Sequence, residues 1–599
     1  MQIVRIKIQN YRCIQNLTYI PSKHNILIGG VNAGKSTLIT ALSLVLDPDV
    51  ARRYRPVEEL DFFQGRSVGN DGKPISLQIE VVLSDCTEGE RNHFLDFWET
   101  WDTDKKTLIE DAEDISILDK PQMDFAFRIA FQAKYDMNEK DIIHDWYYPK
   151  YSFMDDSDTY RKCYRPEREM IGYFMIPAER NITKALSFTR YSALDKALRA
   201  DKISLDQEIG KIGDHVRGVG GLLFENKDFT KLINEIETRT ENILELNPDI
   251  ERKLTFELSG LGHYDIMNVL KAFMSPEGAP RPYPITNQGM GAKQIITLAT
   301  LRMLAARKKS SIIAIEEPEN SLHPHMQRTL VNDLLDTNCQ TFITTHSVHV
   351  SQVISQDYLS SILDDGKGNK NILNLKPSKT LGCDSDTVKS MENIQSHYPN
   401  AVVDSFFSPR VLLVEGPGDR GAIPVLIRRL CNKKNNYQNL DGLGIATVPC
   451  IGKQRIAKAA LYFKTLGKTI YALADSEKGS SAGNKSIEDT CDCSFFWPEN
   501  TAIEAVLLEN VTEKTLDAFI LSVAELGDNF FKDSGTHTGD FAKKREDTRR
   551  YLKKRLTHRQ FAEYLPDNEL PSMVKIFLQY LNRVVSGDEK SKKVVINVA

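Results

Sequence analysis

A glycine-rich run near the start of the chain has the residue types and spacing of a phosphate-binding loop. Residues 29–36, GGVNAGKS, satisfy G-x-x-x-x-G-K-[ST] between a predicted strand and a predicted helix. Glycines let backbone N–H groups turn inward around phosphates, while the lysine reaches the β and γ oxygens and the hydroxyl can hold Mg²⁺. A simple glycine turn would need no Lys-Ser pair, so the run predicts ATP binding. The candidate contacts are Gly29, Asn32, Gly34, Lys35, Ser36 and Thr37, with Ser36 also a metal ligand.

Two adjacent carboxylates end the apolar run of residues 311–315, SIIAI. A phosphate cradle alone hydrolyses nothing, so a second acidic strand end must complete the metal shell and activate water. Glu316 is suited to the Mg²⁺ shell, and Glu317 is suited to act as the catalytic base. Strand ends often meet solvent, so a pair of carboxylates at this position is weak evidence of function by itself. Together with the glycine-rich loop, the pair predicts ATP hydrolysis.

A second group of acids follows two later apolar runs. Residues 411–414, VLLV, lead to Glu415, and Asp419 stands four residues on; residues 469–474, TIYALA, lead to Asp475 and Glu477. The carboxyl ends of parallel strands meet at one sheet edge, where such acids can share divalent metal. Hard oxygen ligands favour Mg²⁺ or Mn²⁺. Two metals there could clamp the attacking and leaving oxygens of a phosphodiester.

Other candidate metal ligands have poorer spacing. Cys491 and Cys493 form a C-x-C pair without a second Cys or His pair at ligand spacing. His323 and His325 are expected to point in different directions on a helix, which is poor geometry for a shared metal. We therefore expect structural roles for all four residues.

Composition excludes several classes of protein. The chain has 599 residues, 41% apolar and 27% charged, which indicates a modular globular protein rather than a disordered or collagen-like one. With 77 Lys and Arg against 82 Asp and Glu, the net charge is −5, so any nucleic-acid contact must be local. Nine scattered cysteines fit a reducing cytosol. No signal peptide and no run of 18 apolar residues is evident, which predicts a cytoplasmic protein without membrane contact.

Hydrophobic periodicity places these motifs on alternating strands and helices. It predicts strands at residues 3–8, 24–28 and 75–83 and a helix at 35–46. It also predicts strands at 311–315 and 341–345 with a helix at 326–335 between them, which is the alternating order of a parallel α/β sheet. The charged residues 86–119 predict a solvated surface insertion. Residues 186–250 have helical period and predict a helical insert, whereas the polar residues 364–378 predict a loop in a connecting region.

These observations predict an α/β chain of two catalytic modules. The expected boundaries are 1–185 and 261–362 for the two parts of an ATPase, 186–260 for the helical insert, 363–410 for a linker region, and 411–599 for a second α/β domain with a basic helical end. That end, residues 540–560, carries nine basic and three acidic residues with Phe541 and Tyr551 interleaved. Nucleic-acid phosphates or a solvated helix face explain it equally well.

The first module resembles the ABC-type ATPases of the RecF, Rad50 and OLD (overcoming lysogenization defect) groups. Residues 316–324, EEPENSLHP, resemble their Walker B motif and D-loop, and His346 in ITTHS resembles their switch histidine, which senses the γ-phosphate. Residues 287–291, NQGMG, stand where that family carries its signature loop but depart from S-G-G-Q. Arg12 is either a basic residue near the nucleotide or a surface arginine. The resemblance implies a homodimer or higher oligomer, for which the helical insert could supply an interface.

The second module resembles a Toprim domain, the catalytic unit of topoisomerases, primases and OLD nucleases. Glu415, Asp419 and Asp475 match its metal-binding pattern, whereas Glu477 replaces the usual second aspartate. Residues 502–508, AIEAVLL, resemble an OLD element that makes Glu504 a further ligand, with Glu499 as its rival. OLD nucleases also use a lysine beyond the acids, for which Lys543, Lys544, Lys553 and Lys554 are candidates.

Both motif sets in this order resemble the OLD family of ATP-dependent endonucleases over nearly the whole chain. The resemblance implies metal-dependent cutting or nicking of DNA in anti-phage defence, as in Gabija and retron systems, with a possible second subunit such as a helicase-like protein or a retron reverse transcriptase with its RNA. No DNA-linking tyrosine module supports a covalent topoisomerase route. The alternatives are a RecF- or Rad50-like repair ATPase that binds DNA without cutting, and a nucleotide-sensing scaffold.

Overall fold

The computed structural model describes most of the chain. The described residues are 1–30, 32–50, 55–110, 115–150, 161–178, 205–218, 222–223, 225–241, 266, 272–275, 281–293, 295–296, 299, 312–320, 322–431, 437–476, 481–533, 536 and 539–597. The candidate ligand Glu477 and much of the predicted helical insert lie outside them.

Twenty strands are present in the described residues. They are β1 (Gln2–Tyr11), β2 (Ile14–Tyr19), β3 (His24–Ile28), β4 (Ser76–Ser84), β5 (Glu99–Asp102), β6 (Thr107–Ile109), β7 (Met123–Asp136), β8 (Asp141–Tyr147), β9 (Tyr173–Ile176), β10 (Phe273–Met274), β11 (Tyr283–Pro284), β12 (Ile312–Glu316), β13 (Gln340–Thr344), β14 (Leu359–Asp364), β15 (Asn369–Asn374), β16 (Arg410–Val414), β17 (Ile445–Pro449), β18 (Thr469–Ser476), β19 (Cys493–Glu499) and β20 (Lys593–Val595).

Eighteen α-helices are present in the same ranges. They are α1 (Lys35–Leu46), α2 (Glu88–His93), α3 (Arg165–Ile171), α4 (Asp206–Gly218), α5 (Lys227–Glu241), α6 (Pro324–Leu335), α7 (Val348–Val353), α8 (Ser385–His397), α9 (Pro399–Phe407), α10 (Pro417–Cys431), α11 (Ile456–Thr465), α12 (Ser481–Thr490), α13 (Ile503–Leu507), α14 (Glu513–Glu525), α15 (Phe530–Asp533), α16 (Phe541–Arg555), α17 (His558–Tyr564) and α18 (Ser572–Ser586). None of the described helices is long and apolar enough to cross a membrane.

The chain divides into two units. The first contains Met1–Arg12, Ile20–His24 and Leu38–Ile343. In it, strands are ordered β6-β5-β7-β4-β1, with β8 also pairing with β7, and the pairs β1–β4, β4–β7 and β5–β7 are antiparallel. Strand β12 is parallel to β9 and has β13 as its other neighbour.

The second unit contains Cys13–Tyr19, Asn25–Thr37 and Thr344–Ala599. Strand β14 pairs in parallel with β3 and antiparallel with β15, which is in turn parallel to β2. A separate five-stranded sheet has the order β17-β16-β18-β19-β20, and every pair in it is parallel. Both faces of a parallel sheet are buried, which explains why the β16 residues Val411–Val414 are all 0% exposed.

The predicted surface insertion at residues 86–119 is wrong in part. Strand β5 within it pairs with β7, and all four of its residues are buried. Glu99 tolerates burial because Arg128 donates to both of its carboxylate oxygens, at 2.7 and 2.9 Å. Asp102 accepts backbone N–H groups of the following turn. Paired and hydrogen-bonded charges can be buried, which the charge pattern of the sequence does not show.

The predicted loop at residues 364–378 is also wrong in part. Residues 369–374 form β15, which pairs with both β14 and β2. The strand accepts polar residues because its side chains alternate: Lys370 and Ile372 are buried, whereas the three asparagines Asn369, Asn371 and Asn374 are exposed. Two helices, α8 and α9, follow before the second sheet. Within the predicted helical insert, the described residues include α4 and α5. The insert as a unit and the domain boundaries remain predictions.

Candidate functional site

The glycine-rich loop has the strand–turn–helix setting that phosphate binding requires. Strand β3 is fully buried, and α1 begins at Lys35. Gly29 and Gly34 have φ of 139° and 108°, and Asn32 has φ of 64°, so the backbone turns through the left-handed region. A Cβ on Gly34 would approach Cys13 Sγ to 3.3 Å. The loop therefore needs glycine at that position for both space and backbone conformation.

Lys35 lies inside the loop that precedes it. Its Nζ atom donates to the carbonyl oxygens of Gly29 and Gly30, each at 2.9 Å, and the residue is 5% exposed. Thr37 is also buried, and its hydroxyl lies 3.4 Å from Cys13 Sγ. The ammonium group is thus placed among backbone groups at the start of α1, where the helix dipole favours anions.

Arg12 is held in place by an ion pair. Its Nε atom donates to Asp61 at 2.8 Å, and its Nη1 atom donates to Thr40 of α1 at 3.2 Å. The guanidinium also lies 5.2 Å from the centroid of the Tyr11 ring. The side chain is thus bound to the helix that follows the phosphate loop, although it remains partly exposed.

The paired carboxylates lie where the sequence predicts, at the end of β12. Glu316 is 8% exposed, and its Oε2 atom accepts the backbone N–H of Ala178 at 3.4 Å. Glu317 begins the next turn with φ of 43° and accepts a hydrogen bond from Asn320 at 2.9 Å. The turn therefore directs two successive glutamates into different surroundings.

His346 follows the strand that the sequence predicts. The backbone N–H of Thr345 donates to the carbonyl of Leu27 in β3 at 3.1 Å, two residues before Gly29. This bond brings the exposed His346 next to the start of the phosphate loop. Residues 287–291 are largely exposed, and a helical turn begins at Met290.

His323 and His325 do not diverge as the sequence suggested. His323 is the N-cap of α6 rather than a helical residue, and the two rings are nearly parallel, with centroids 6.0 Å apart. The expectation assumed a helix through both residues, whereas Pro324 starts it.

Four carboxylates of the second unit gather at the carboxyl edge of the parallel sheet. Glu415 directly follows β16, and Asp475 lies near the end of the neighbouring β18. The backbone N–H of Asp475 donates to Glu415 Oε1 at 2.8 Å. Asp419, in the first turn of α10, accepts the N–H of Gly416 at 3.1 Å. Glu504 reaches the group from α13.

Burial and mutual repulsion perturb these acids. Desolvation, with the charges of Glu415 and Glu504, raises the pKa of Asp419 to about 7. Desolvation and the charges of Glu415, Asp419 and Glu504 raise the pKa of Asp475 to about 8. Crowded carboxylates with raised pKa values mark a functional site more often than a structural one.

Glu504 and its rival Glu499 have different surroundings. Glu504 is 8% exposed, and its charge acts on both Asp419 and Asp475. Glu499 is exposed at the end of β19 and contributes to neither shift. Burial alone would raise the pKa of Glu504, but a hydrogen bond from His558 lowers it below its usual value. The geometry therefore brings Glu504, and not Glu499, into the acidic group.

The four acids have the oxygen donors and the negative charge that a divalent metal requires, although their side chains do not converge on a single point as metal ligands would. In the described ranges, no three His, Cys, Asp or Glu side chains converge to hold an ion. Glu415, Asp419 and Glu504 instead accept hydrogen bonds from the protein. Because the charges of Glu415 and Glu504 help to raise the pKa values of Asp419 and Asp475, a cation among the four acids would relieve that repulsion. Oxygen donors also suit hard divalent cations.

Two residues that the sequence analysis missed also reach this edge. The Nζ atom of Lys453 donates to the carbonyl oxygen of Asp475, and its charge lowers the pKa of that residue against the effect of burial. Lys453 follows β17, so the rule that parallel strands end at one edge could have identified it. His558 begins α17 and contacts Glu504; no pattern in the sequence indicates this contact.

Three of the four candidate lysines differ in their surroundings. Lys544 is buried and forms ion pairs with Glu513 and Asp517 at 2.9 and 2.8 Å. Lys554 lies 5.7 Å from the centroid of the Phe530 ring. Lys553 is exposed, and it is the lysine of the four whose charge contributes to lowering the pKa of Glu504. Ion pairs within the described residues also occupy Arg549, Arg550 and Arg555 of α16, so part of its positive charge is neutralised.

Comparisons with known proteins agree with this two-part organisation. The AAA ATPase domain family matches residues 1–350, more than half of the chain, and the Toprim domain of overcoming lysogenization defect protein-like proteins matches residues 406–476. The Old nuclease of Escherichia phage P2 is 23% identical over 505 residues, 80% of this chain and 77% of that protein. The endonuclease GajA of Bacillus cereus strain VD045 is 22% identical over 543 residues, 86% of this chain and 81% of that protein.

Among solved structures, an Smc head domain with an extended coiled coil from Pyrococcus furiosus aligns with a TM-score of 0.34 and 14% identity, over 66% of this chain and 99% of that chain. The predicted fold class, an α/β ATPase followed by a C-terminal Toprim domain, is confirmed by the two family matches and by the mixed α/β architecture, in which the five-stranded sheet is parallel throughout. The matches to an ATPase domain and to a Toprim domain show that the protein uses nucleotide and divalent metal. The chain therefore belongs to the OLD family of ATPase-nucleases, with an AAA ATPase domain and a Toprim domain.

Proposed function

We propose that the protein is an ATP-dependent endonuclease that nicks or cleaves DNA with Mg²⁺ or Mn²⁺ in defence against phage. The observation that carries the proposal is the electrostatic coupling of Asp419, Asp475, Glu415 and Glu504 at one sheet edge of the Toprim domain. The names of the relatives, a nuclease and an endonuclease, support the same reaction.

In this proposal, Glu415, Asp419, Asp475, Glu477 and Glu504 hold the metal, and Glu415 and Asp475 are the ligands closest to the chemistry. Bound divalent metal would supply an activated water and neutralise charge on the phosphodiester. Lys453 places an ammonium group beside Asp475 and is suited to contact the scissile phosphate. Lys553 supplies a second positive charge that acts on Glu504.

The ATPase part of the proposal assigns the phosphates to Gly29, Asn32, Gly34, Lys35, Ser36 and Thr37. Phosphate oxygens would replace the carbonyl oxygens of Gly29 and Gly30 as acceptors for Lys35. We assign Mg²⁺ to Ser36 and Glu316, water activation to Glu317, and γ-phosphate sensing to His346. The exposed residues 287–291 would act on the nucleotide of a second subunit, which makes a homodimer or larger oligomer part of the proposal.

The remaining parts of the proposal concern partners and location. DNA is the substrate, and the partly neutralised helix α16 supplies local positive charge for it. A second defence subunit, either helicase-like or a retron reverse transcriptase with its RNA, is possible within the family. We place the protein in the cytoplasm, consistent with nine free cysteines in the structure.

A plasmid assay tests the nuclease. Purified protein is incubated with supercoiled DNA and Mg²⁺ or Mn²⁺, with and without ATP, beside Glu415→Ala, Glu504→Ala and Glu499→Ala. We expect Glu415→Ala and Glu504→Ala to lose nicking at least 100-fold, and Glu499→Ala to remain near wild type because it lies outside the coupled group. Absence of nicking under every condition would favour a repair-type ATPase that binds DNA without cutting.

ATP turnover tests the other module. Lys35→Ala should abolish hydrolysis because it removes the cation of the phosphate loop. Turnover that survives this change would place the hydrolysis elsewhere, and a wild type that hydrolyses nothing would indicate a nucleotide-sensing scaffold.

A further inference from the structure

His558 lies between two elements that carry the acids of the nuclease site. Its Nε2 atom is 3.1 Å from Glu504 Oε1 in α13. On α10, a Cβ atom added to Gly418 would meet the imidazole ring at 2.9 Å, so the ring packs directly on the residue before Asp419. The histidine is 2% exposed. It therefore joins the segments of two candidate metal ligands through one rigid ring.

The hydrogen bonding of the ring is one-sided. A carboxylate oxygen accepts at Nε2, so Nε2 carries the proton. The Nδ1 atom is buried and has no hydrogen-bond partner among the described residues. A buried histidine that only fills the core normally has its polar atoms satisfied. Within the part of the chain that the structure describes, the hydrogen bond of this ring goes to the acidic group.

We infer that His558 is a positioning residue of the nuclease: by donating to one oxygen of Glu504, it holds that carboxylate for metal binding. The inference rests on the proposed function. Hydrogen bonds to metal-binding carboxylates fix their orientation, and loss of such a partner typically weakens metal affinity about 10- to 100-fold. One oxygen of Glu504 is occupied by the histidine, which leaves the other for the ion.

Gly418 has a specific part in this arrangement. It lies within α10, where alanine would be acceptable to the backbone, yet its Cβ would overlap with the ring. An alanine there must therefore displace His558, whereas the same alanine meets no ring once residue 558 is alanine. The effect of Gly418→Ala should depend on the identity of residue 558.

Calorimetric titration of the nucleotide-free full chain with Mn²⁺ tests the role directly, with Glu415→Ala to identify binding at the Toprim site. We expect His558→Ala to weaken Mn²⁺ binding about tenfold. His558→Gln keeps an N–H donor near the position of Nε2 and should restore most of the affinity. Phe561→Leu, in the core of the same helix, is the control for lost packing and should leave Mn²⁺ affinity unchanged.

Gly418→Ala should weaken Mn²⁺ binding in the wild type and add no further loss to His558→Ala. Equal losses in His558→Ala, His558→Gln and Phe561→Leu would overturn the inference, because packing alone would then explain them. Unchanged affinity in His558→Ala would overturn it too. If Glu415→Ala removed no Mn²⁺ binding, the proposed metal site itself would fail, which is a different result.

Discussion

At the residue scale, neighbours decide the chemistry of each acid. Asp419 and Glu504 are both buried carboxyl groups, yet the pKa of the first is raised and that of the second is lowered. The difference arises because His558 donates to Glu504, whereas Asp419 faces other acids. The sequence could identify Asp419 from its position four residues after Glu415 at a strand end, and Glu504 from its resemblance to an OLD element. It could not give the hydrogen bond from His558 to Glu504, because the two residues are 54 positions apart.

Metal binding should therefore stabilise the protein more at higher pH. The folded-state pKa values of Asp419 and Asp475, about 7 and 8, exceed the ordinary value of 3.8. Without metal, these groups thus contribute stability below about pH 4 that is lost as pH rises through 7 to 8. Bound metal must displace their protons. We expect the melting-temperature increase caused by Mn²⁺, relative to EDTA, to grow between pH 6 and 8.5.

The control for this prediction is the double variant Asp419→Asn, Asp475→Asn, which cannot bind those protons. Its response to Mn²⁺ should be small at every pH. A wild-type increase that is independent of pH would contradict the assignment of these two acids to the metal site.

At the element scale, strand β5 shows how a charged segment enters a sheet. Glu99 is 2% exposed and pairs with Arg128 of β7, which also approaches Glu80 of β4 at 3.4 Å. Arg128 presents a planar fork that matches a carboxylate, and its side chain is 10% exposed. Burial still raises the pKa of Glu99 despite this pairing. The charge of Glu99 would therefore be unfavourable in the buried strand without Arg128.

Arg128→Ala should destabilise the first unit by about 3–5 kcal/mol, because it leaves Glu99 buried without its partner. Urea unfolding followed by tryptophan fluorescence measures this, since Trp98, Trp101 and Trp146 belong to that unit. Arg91→Ala breaks an exposed ion pair with Asp124 and should cost less than about 1 kcal/mol. Similar losses of unfolding free energy in both variants would show that the buried ion pair contributes no more to stability than the exposed one.

At the scale of the whole molecule, motifs with local signals were predictable and tertiary partners were not. Helix α1 has the predicted bounds because Leu38, Ala41, Leu42 and Val45 repeat at helical spacing and a glycine turn precedes them. Strand β2 was missed because only two residues separate it from β1. His558 was missed because its role arises from a tertiary contact with Glu504, on another helix, whereas the position of Lys453 after β17 was a signal that the sequence analysis did not use.

The helical insert presents an apolar face that suits self-association. In α5, Ile233 is buried and Phe229 is half-buried, whereas Leu232 and Ile236, one turn apart, are 54% and 42% exposed. Exposed apolar pairs at this spacing form a stripe that another helix can cover, and most oligomers of soluble proteins are symmetric dimers.

We expect light scattering at micromolar concentration to give a dimer mass for the wild type and about half of it for Leu232→Lys, Ile236→Lys, because lysines in the stripe would be buried without partners. Glu235→Lys adds the same two units of positive charge at an exposed polar position of α5 and should remain dimeric. A monomeric wild type would remove this interface. An equal loss of mass in Glu235→Lys would instead assign the association to charge, and the apolar stripe would then need another explanation.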